Sequence, residues 1–328
     1  MSTSLIKSET AYIFPGQGAQ ILGMGNDLFQ DSPPARKVFS EADDFLGYEL
    51  TKIMFDGPQD ELTQTVHAQP AIFTMSIACY ESLRQQKKPS KASEPAMFVA
   101  GHSLGEYTAL VASNSLDFKD ALHLVKERGR LMQDASNLLP TGMAAILGLE
   151  ELVIAEICQA TGTFISNVNT AEQIVISGAK IPLAHAMDMA LLRGAKRAIP
   201  LKVSGAFHSN YMQPAQDEMQ ILIDKAPIRD PEIPVIGNCT GEPLYTASDV
   251  RKELSNQLCT CVQWKKSIEC MVTLGVNNFI EMGPGSTLSG LVKRIDPSVY
   301  TQSLNSLIGI RTVSYTHLRA HETLRYLV

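Results

Sequence analysis

The chain has 328 residues, 45% apolar and 19% charged, with 28 basic against 34 acidic residues and a formal net charge of −6. This composition excludes a disordered, collagen-like or disulfide-scaffold protein and favours about two globular domains. The acidic balance argues against general nucleic-acid binding, because neutralising phosphates needs concentrated Lys and Arg. The six cysteines are scattered, no signal peptide precedes them, and no apolar run could span a bilayer. We therefore expect a cytoplasmic protein that binds neither nucleic acid nor membrane.

The first part of the chain predicts two strands, each followed by helix. In chain order the pattern indicates a strand (Ala11–Phe14), a helix-rich stretch to about Arg84, an exposed polar connection (Gln85–Pro95), a second strand (Ala96–Ala100), a sharp turn (Gly101–Gly105) and a helix (Glu106–Ser113).

The pattern changes between Gly142 and Ser204, where the order β-α-β-β-α-β predicts a ferredoxin-like unit. Its elements are strands at Met143–Leu149, Phe164–Asn167, Ile174–Ser177 and Arg197–Val203, and helices at Glu150–Ala160 and Ile181–Leu192. Strand-helix alternation then resumes with strands at Pro234–Gly237 and Asn278–Glu281, which favours a parallel α/β sheet. We predict a large α/β domain formed by residues 1–140 and 206–311, with a ferredoxin-like domain inserted at residues 141–205. The remaining segment, Thr312–Val328, has no pattern that ties it to a core and is predicted to be a non-native or disordered tail.

The pentapeptide Gly101-His-Ser-Leu-Gly105 has the form of a nucleophile elbow. Such a turn lifts a serine hydroxyl out of a sheet, and only small residues two positions away tolerate it. The letters alone are a weak signal, but a predicted strand precedes them and a predicted helix follows. The N–H of Leu104, at the start of that helix, is suited to stabilising an oxyanion. The pattern predicts Ser103 as a nucleophile in an α/β-hydrolase-like domain; the alternative is an idle serine in a glycine-rich turn.

A base must reach Ser103, and seven histidines are available. Those in the C-terminal tail, in helical patterns or in a structural loop are poorly placed: His317, His321, His123, His185 and His67. His102 neighbours the serine, but successive side chains diverge at a sharp elbow. The remaining candidate is His208, in the loop after the inserted unit, where it can lie over the sheet. The alternative is a loop histidine without a catalytic role.

Arg128 lies on the apolar stripe of a predicted helix. Ala121, Val125, Arg128 and Met132 recur at spacings of four, three and four residues. A guanidinium on a buried face needs an anion, which is either a protein carboxylate or a carboxylate of a substrate. A structural ion pair is the usual case, and a substrate role requires that Arg128 share a pocket with Ser103.

Three loops have partial cofactor motifs. The Gly16-Gln-Gly-Ala-Gln-Ile21 loop has isoleucine where a dinucleotide-binding loop needs its third glycine, and the Gly283-Pro-Gly285 loop lacks the Gly-Lys-Ser/Thr of a P-loop. Cys259 and Cys261 lack the partners and spacing of a zinc site. We therefore expect chemistry without a bound cofactor or metal.

Taken together, the motifs resemble the malonyl-CoA:acyl carrier protein transacylase family of bacterial fatty-acid synthesis, which is related to polyketide synthase acyltransferase domains. The resemblance extends from about Ala11 to Ile295. The blocks that carry it are Phe14-Pro-Gly-Gln-Gly-Ala-Gln20, Gly101-His-Ser-Leu-Gly-Glu-Tyr107, Arg128-Gly-x-Leu-Met132, Phe207-His208, Val262-Gln-Trp264 and Glu281-Met-Gly-Pro-Gly285.

This resemblance implies a role for each candidate residue. Ser103 would be the acylated nucleophile, His208 its base, and Arg128 the group that holds the free carboxylate of malonyl. The backbone N–H groups of Gln17 and Leu104 would form the oxyanion hole, and the backbone carbonyl of Gln257 would orient the histidine. Further substrate-binding residues would be His102, Asn167, Asn169 and Phe207. Ala206-Phe207 and the aliphatic Leu104 resemble the malonyl-selective forms of these motifs.

The family also implies two substrates, malonyl-CoA and the phosphopantetheinyl acyl carrier protein. That carrier protein is acidic, so an acidic enzyme needs a local basic surface to receive it. The stretch from Met189 to Gln216 contains no Asp or Glu, and its basic residues are the predicted docking residues: Arg193, Lys196, Arg197 and Lys202. An ordinary solvated face is the alternative. We expect the enzyme to be a monomer.

Three other functions are compatible with parts of the pattern. A serine hydrolase of the esterase or patatin type shares the elbow, but an esterase places an acidic residue between serine and histidine, and neither hydrolase predicts a buried arginine. A non-catalytic carrier-binding scaffold would bind the carrier without a reactive serine. A trans-acting polyketide malonyltransferase would share every motif used here.

Overall fold

The structure, a computed structural model, describes residues 9–85 and 96–312. The exposed connection predicted at Gln85–Pro95 and the tail predicted at Thr312–Val328 therefore lie outside the described residues, apart from Gln85 and Thr312.

The described chain alternates strands and helices in the manner predicted. The strands are β1 (Thr10–Phe14), β2 (Phe98–Gly101), β3 (Thr141–Leu147), β4 (Phe164–Thr170), β5 (Gln173–Ala179), β6 (Arg197–Pro200), β7 (Val235–Ile236), β8 (Pro243–Leu244), β9 (Asn278–Met282) and β10 (Tyr300–Leu304). The helices are α1 (Asn26–Asp31), α2 (Pro33–Leu46), α3 (Leu50–Asp56), α4 (Gln59–Thr63), α5 (Thr65–Arg84), α6 (Gly105–Ala112), α7 (Phe118–Leu138), α8 (Glu151–Thr161), α9 (Lys180–Leu192), α10 (Gln213–Lys225), α11 (Ala247–Gln257), α12 (Trp264–Thr273) and α13 (Thr287–Ile295).

The larger sheet has six strands in the order β10-β9-β1-β2-β7-β8. Neighbouring strands from β10 to β7 are parallel, and β8 is antiparallel to β7 at one edge. Because helices cover both faces, every residue of β1 is buried. Tyr12 and Phe14 pack with the helices of one face, including α5 and α7, whereas Ala11 and Ile13 pack with α12 and α13 on the other. The sheet confirms the predicted α/β class.

The smaller sheet is antiparallel, with the order β4-β5-β3-β6. Apolar side chains of this sheet, such as Ile146 and Ile176, pack against α8 and α9. This strand order confirms the predicted ferredoxin-like unit, while the domain boundaries at residues 141 and 205 stay a prediction. Strand β6 ends at Pro200, earlier than the predicted Val203, because the chain turns there toward α5, where the Ser204 hydroxyl lies 3.1 Å from that of Thr65.

Hydrogen bonds join the smaller sheet to the larger domain: His102, directly after β2, contacts Asn169 in β4 at 2.9 Å, and main-chain bonds join β4 to the loop before α12. The N–H of Val168 in β4 donates to the carbonyl of Val262 at 2.9 Å, and the N–H of Val262 donates to Ser166 at the same distance. The small sheet therefore lies next to the carboxyl ends of the parallel strands, where ligands bind in open α/β sheets.

Within the described ranges, no helix is long and apolar enough to cross a membrane. The same residues contain no cluster of three or more metal-ligating side chains, and all six cysteines are free thiols.

Gly105 is the point at which α6 contacts β1. A Cβ added there would lie 2.1 Å from the carbonyl oxygen of Phe14, so backbone would have to move. We predict that Gly105→Ala lowers the free energy of unfolding by about 3 kcal/mol, as expected for a severe overpacking substitution. Chemical denaturation measures this change.

Gly290→Ala is the matched control, because Gly290 is an exposed residue of α13 with no atom within 4 Å of the added Cβ. Alanine there should leave the stability unchanged or raise it by up to about 1 kcal/mol. Equal destabilisation by the two substitutions would contradict the account of the β1–α6 contact.

Candidate active site

Ser103 occupies a strained turn between β2 and α6. Its φ angle of 53° lies in the left-handed region that non-glycine residues rarely adopt. The turn is tight enough that a Cβ on Gly101 would lie 1.8 Å from the carbonyl carbon of Gly105. Two side chains from other elements hold the serine backbone: its N–H donates to Asn238 Oδ1 at 2.6 Å, and its carbonyl accepts from Gln257 Nε2 at 2.9 Å. The pentapeptide thus forms the predicted elbow.

The structure brings His208 to Ser103. Its Nε2 lies 2.8 Å from the serine Oγ, and its Nδ1 lies 2.9 Å from the backbone carbonyl of Gln257. Because a carbonyl can only accept, Nδ1 carries the proton and donates it to Gln257, which leaves the Nε2 lone pair to accept the hydroxyl proton. Serine, histidine and carbonyl have the geometry of an activated nucleophile.

Burial, and then the positive charge of nearby Arg128, lower the pKa of His208 to about 3. Both causes disfavour the imidazolium, so the residue is a neutral base in the resting site.

Arg128 shares this pocket, since it is 1% exposed and its Nη2 donates to Ser103 Oγ at 3.0 Å. Nη2 also donates to Gln257 Oε1 at 3.0 Å, and Nη1 donates to Gln69 Oε1 at 2.8 Å. The guanidinium carbon lies 5.6 Å from the ring centroid of Tyr107. All of these partners are neutral.

Among the described residues, Arg128 forms no ion pair with a carboxylate, and its buried Nε has no acceptor. A guanidinium has five N–H donors, and the terminal nitrogens of Arg128 make the three hydrogen bonds given above. The alternative of a structural ion pair is therefore wrong for this residue. A buried cation with neutral partners and unused donors is suited to receiving a carboxylate.

Two backbone N–H groups are placed near the serine. Gly16, the residue before Gln17, lies close against the elbow: a Cβ added to it would lie 2.4 Å from the carbonyl oxygen of His102. Leu104 caps the N-terminal end of α6. Neither N–H donates to an acceptor within the part of the chain that the structure describes, so both stay candidates for the oxyanion hole.

Each of the other predicted substrate-binding residues has a packing or hydrogen-bond partner within the protein. His102 does not contact the serine hydroxyl: its Nε2 donates to Asn169 Oδ1 at 2.9 Å, and its ring packs on Trp264. Burial lowers the pKa of His102. Asn167 is buried in a β-bridge with Val262, and Phe207 is buried in the main core. Each of these residues therefore has contacts within the protein. That the same residues also contact the substrate stays a prediction.

The predicted docking residues are exposed, but two of them are paired. Arg193 and Lys196 form ion pairs of 3.2 Å with Glu156 and Glu172, respectively. The stretch has no acidic residue in sequence, yet acidic residues from neighbouring elements offset half of its charge. Within the described residues, Arg197 and Lys202 form no ion pair.

Three site residues were missed by the sequence analysis: Gln69, Glu106 and Asn238. Gln69 and Asn238 hold Arg128 and Ser103 as described above. Glu106 is fully buried, and burial first and neighbouring Glu253 second raise its pKa well above the usual value, although hydrogen bonds from Gln257 and Asn238 oppose the rise. Asn238 directly follows the predicted strand at Pro234–Gly237, and a polar residue at the carboxyl end of a parallel strand is the signal that could have found it.

The fold and the site are those of an acyltransferase, with a serine on a strained elbow, a histidine at its hydroxyl and a buried arginine beside it. Comparisons with known proteins agree. The chain matches the acyl transferase domain family over residues 11–314. It is 40% identical to the malonyl CoA-acyl carrier protein transacylase of Bacillus subtilis, over 90% of this chain and 92% of that protein. It is also 40% identical to the Escherichia coli K12 protein of the same name, over 91% and 96%.

Solved structures give the same result. An acyl carrier protein S-malonyltransferase from Vibrio cholerae superposes with a TM-score of 0.89 at 37% identity, covering 93% of this chain and all of that one. A malonyl-transacylase in complex with its type II polyketide acyl-carrier protein also gives a TM-score of 0.89, at 36% identity, covering 94% of this chain and 99% of that one. The chain belongs to the malonyl-CoA–acyl carrier protein transacylase family.

The lowered pKa of His208 predicts that Ser103 stays reactive at unusually low pH. Neutral imidazole is the base, so a pKa far below 6.5 keeps the base competent in acid. We expect Ser103 to react with an uncharged fluorophosphonate at a nearly constant rate from about pH 8 to about pH 5. In Arg128→Ala the rate should begin to fall at a higher pH, because one cause of the lowered pKa is removed. A wild-type rate that halves near pH 6.5 would contradict this prediction.

Proposed function

We propose that this enzyme transfers the malonyl group from malonyl-CoA to the phosphopantetheine thiol of an acyl carrier protein through a malonyl-Ser103 intermediate. The observation that carries the proposal is Arg128, a buried cation that contacts the nucleophile hydroxyl and has only neutral protein partners. An acyl group that ends in a carboxylate supplies the missing anion.

The first half-reaction acylates the serine. Ser103 Oγ attacks the thioester carbonyl as His208 Nε2 accepts its proton, and the backbone N–H groups of Gln17 and Leu104 stabilise the oxyanion. The tetrahedral intermediate collapses, the carbon–sulfur bond breaks, and His208 returns the proton to the departing coenzyme A thiolate.

The second half-reaction reverses these steps with a different thiol. The pantetheine thiol of the carrier protein gives its proton to His208 and attacks the malonyl ester, and Ser103 Oγ leaves and is reprotonated. The Gln257 carbonyl stabilises the imidazolium less than a carboxylate would. Activating the attacking group in this half-reaction needs a weaker base, because a thiol is more acidic than water or an alcohol.

Arg128 selects the acyl group in this proposal. A malonyl carboxylate pairs with the guanidinium, whereas an acetyl group leaves the buried charge uncompensated, and that difference favours malonyl. The bound carboxylate also offsets the charge that disfavours the imidazolium of His208. The correct substrate therefore assists the base as well as binding more tightly.

The hydrolase alternative has less support from the geometry. An esterase orients its histidine with an acidic side chain, whereas His208 donates to a backbone carbonyl here. Hydrolysis of malonyl-CoA without acceptor, at the rate of transfer with acceptor, would favour a hydrolase instead.

We further propose that the enzyme acts in the cytoplasm and that its acceptor is the carrier of fatty-acid synthesis. The polyketide alternative has a specific observation behind it, since the chain has the fold of a malonyl-transacylase that is paired with a polyketide carrier. The ratio of kcat/KM for a fatty-acid carrier and a polyketide carrier assigns the pathway.

Intact-mass measurement tests the covalent intermediate. Incubation with malonyl-CoA should add one malonyl group to the wild-type protein and none to Ser103→Ala, because only the elbow serine is activated. A wild-type protein without the adduct, or an undiminished adduct on Ser103→Ala, would overturn the proposal.

Competition between malonyl-CoA and acetyl-CoA tests the role of Arg128. We expect Arg128→Ala to lower the malonyl-to-acetyl ratio of adducts by about 100-fold, the range for losing a buried charge-assisted pair. Fluorophosphonate labelling of the same variant shows whether Ser103 stays reactive. An unchanged ratio in a reactive variant would refute the assigned role.

We propose a docking surface with fewer residues than the sequence predicts. Arg197 and Lys202 provide the uncompensated positive charge, since Arg193 and Lys196 are paired. We expect Arg197→Glu to raise the KM for the carrier protein about fivefold while sparing the KM for malonyl-CoA, because like charges then oppose docking. Lys52→Glu, at an exposed position of α3, makes the same charge change elsewhere. Equal effects of the two variants, or equal effects on both substrates, would contradict this surface.

A further inference from the structure

Glu106 is a buried carboxylate to which the proposed mechanism assigns no role. It lies in the first turn of α6, three residues after the nucleophile, and is 0% exposed. Its Oε1 accepts the backbone N–H of Asn238 at 2.9 Å, and its Oε2 accepts from Gln257 Nε2. Both oxygens thus face N–H donors that belong to the site.

The Gln257 side chain connects this carboxylate to the selectivity residue. Its Nε2 donates to the carbonyl of Ser103 and to Glu106, while its Oε1 accepts from Arg128 Nη2. The two ends of an amide have nearly the same shape, so only the surrounding donors and acceptors determine which end faces the arginine. Two acceptors on one side and one charged donor on the other make a single orientation favourable.

We propose that Glu106 is a positioning residue for acyl selectivity: it fixes the Gln257 amide so that Oε1 faces Arg128 and holds the guanidinium at Ser103. This inference rests on the proposed malonyl transfer. If the amide turned over, its NH₂ group would oppose the guanidinium donors and its oxygen would oppose the Ser103 carbonyl. Both contacts would be repulsive in a site from which water is excluded, and Arg128 would move from the position that receives the malonyl carboxylate.

Glu106→Gln is the main test, because it keeps the size of the side chain and removes one acceptor. The new amide has one oxygen and one NH₂ group, so it cannot accept from both Asn238 and Gln257. We expect the malonyl-to-acetyl ratio of adducts, measured in competition, to fall about tenfold, the range for one hydrogen bond to a charged network. The loss should lie in malonyl transfer, with acetyl transfer and fluorophosphonate labelling nearly unchanged.

Glu253→Gln is the matched control. Glu253 is the neighbouring buried carboxylate, 4% exposed, and its Oε1 accepts from the Cys239 N–H rather than from the Gln257 amide. The same substitution there removes a charge that raises the pKa of Glu106, which favours the ionised acceptor, so the malonyl-to-acetyl ratio should not fall.

Two further variants keep the test decisive. Gln257→Met removes the amide but retains the backbone carbonyl that orients His208, so it should lower the ratio to a similar extent even if Glu106→Gln does not fold. In an Arg128→Ala background, Glu106→Gln should cause no further loss, because its effect passes through the arginine.

Three results would overturn the inference: an unchanged ratio in folded Glu106→Gln or, should that variant not fold, in Gln257→Met; an equal loss in Glu253→Gln; or a Glu106→Gln effect that persists without Arg128. The failure of malonyl transfer itself would be visible separately, as a wild-type protein that forms no malonyl adduct.

Discussion

The site depends on one unpaired buried charge. Arg128 is held against the nucleophile by Gln69, Gln257 and the Tyr107 ring, none of which is an anion. Withdrawing a guanidinium from water costs several kcal/mol unless an anion compensates it. A carboxylate of the protein at this position would stabilise the resting enzyme and exclude the substrate. Neutral amides satisfy part of the donor set and leave the charge for a ligand.

That charge also influences the base. Arg128 and burial together keep His208 neutral, and the histidine is oriented by the main chain of the residue whose side chain holds the arginine. Gln257 therefore ties the base, the selectivity residue and the backbone of the nucleophile into one network. In the proposed mechanism, selectivity and reactivity are coupled because both depend on the same few hydrogen bonds, which extend to Glu106.

Much of this arrangement could be predicted from the sequence, because its signals are local. The strand Ala11–Phe14, the glycines around Ser103 and the apolar stripe of Arg128 each follow from composition and spacing. Strand β10 was missed because its polar sequence, Tyr300–Leu304, lies at a sheet edge and alternates exposed with half-buried positions. The amide network was missed for a different reason. Gln69 and Glu106 reach the site from separate helices, and no spacing in the sequence indicates that one holds Arg128 and the other the Gln257 amide.

A crystal structure of the malonyl-Ser103 adduct tests the central claim most directly. The account predicts that both carboxylate oxygens of the malonyl group lie within hydrogen-bond distance, about 2.7–2.9 Å, of nitrogen atoms of Arg128. It further predicts that the hydrogen bond from Arg128 to Ser103 Oγ is replaced by these contacts while Gln257 still holds the guanidinium. A malonyl carboxylate that points into solvent, or that pairs with another cation while Arg128 keeps its present contacts, would contradict the account.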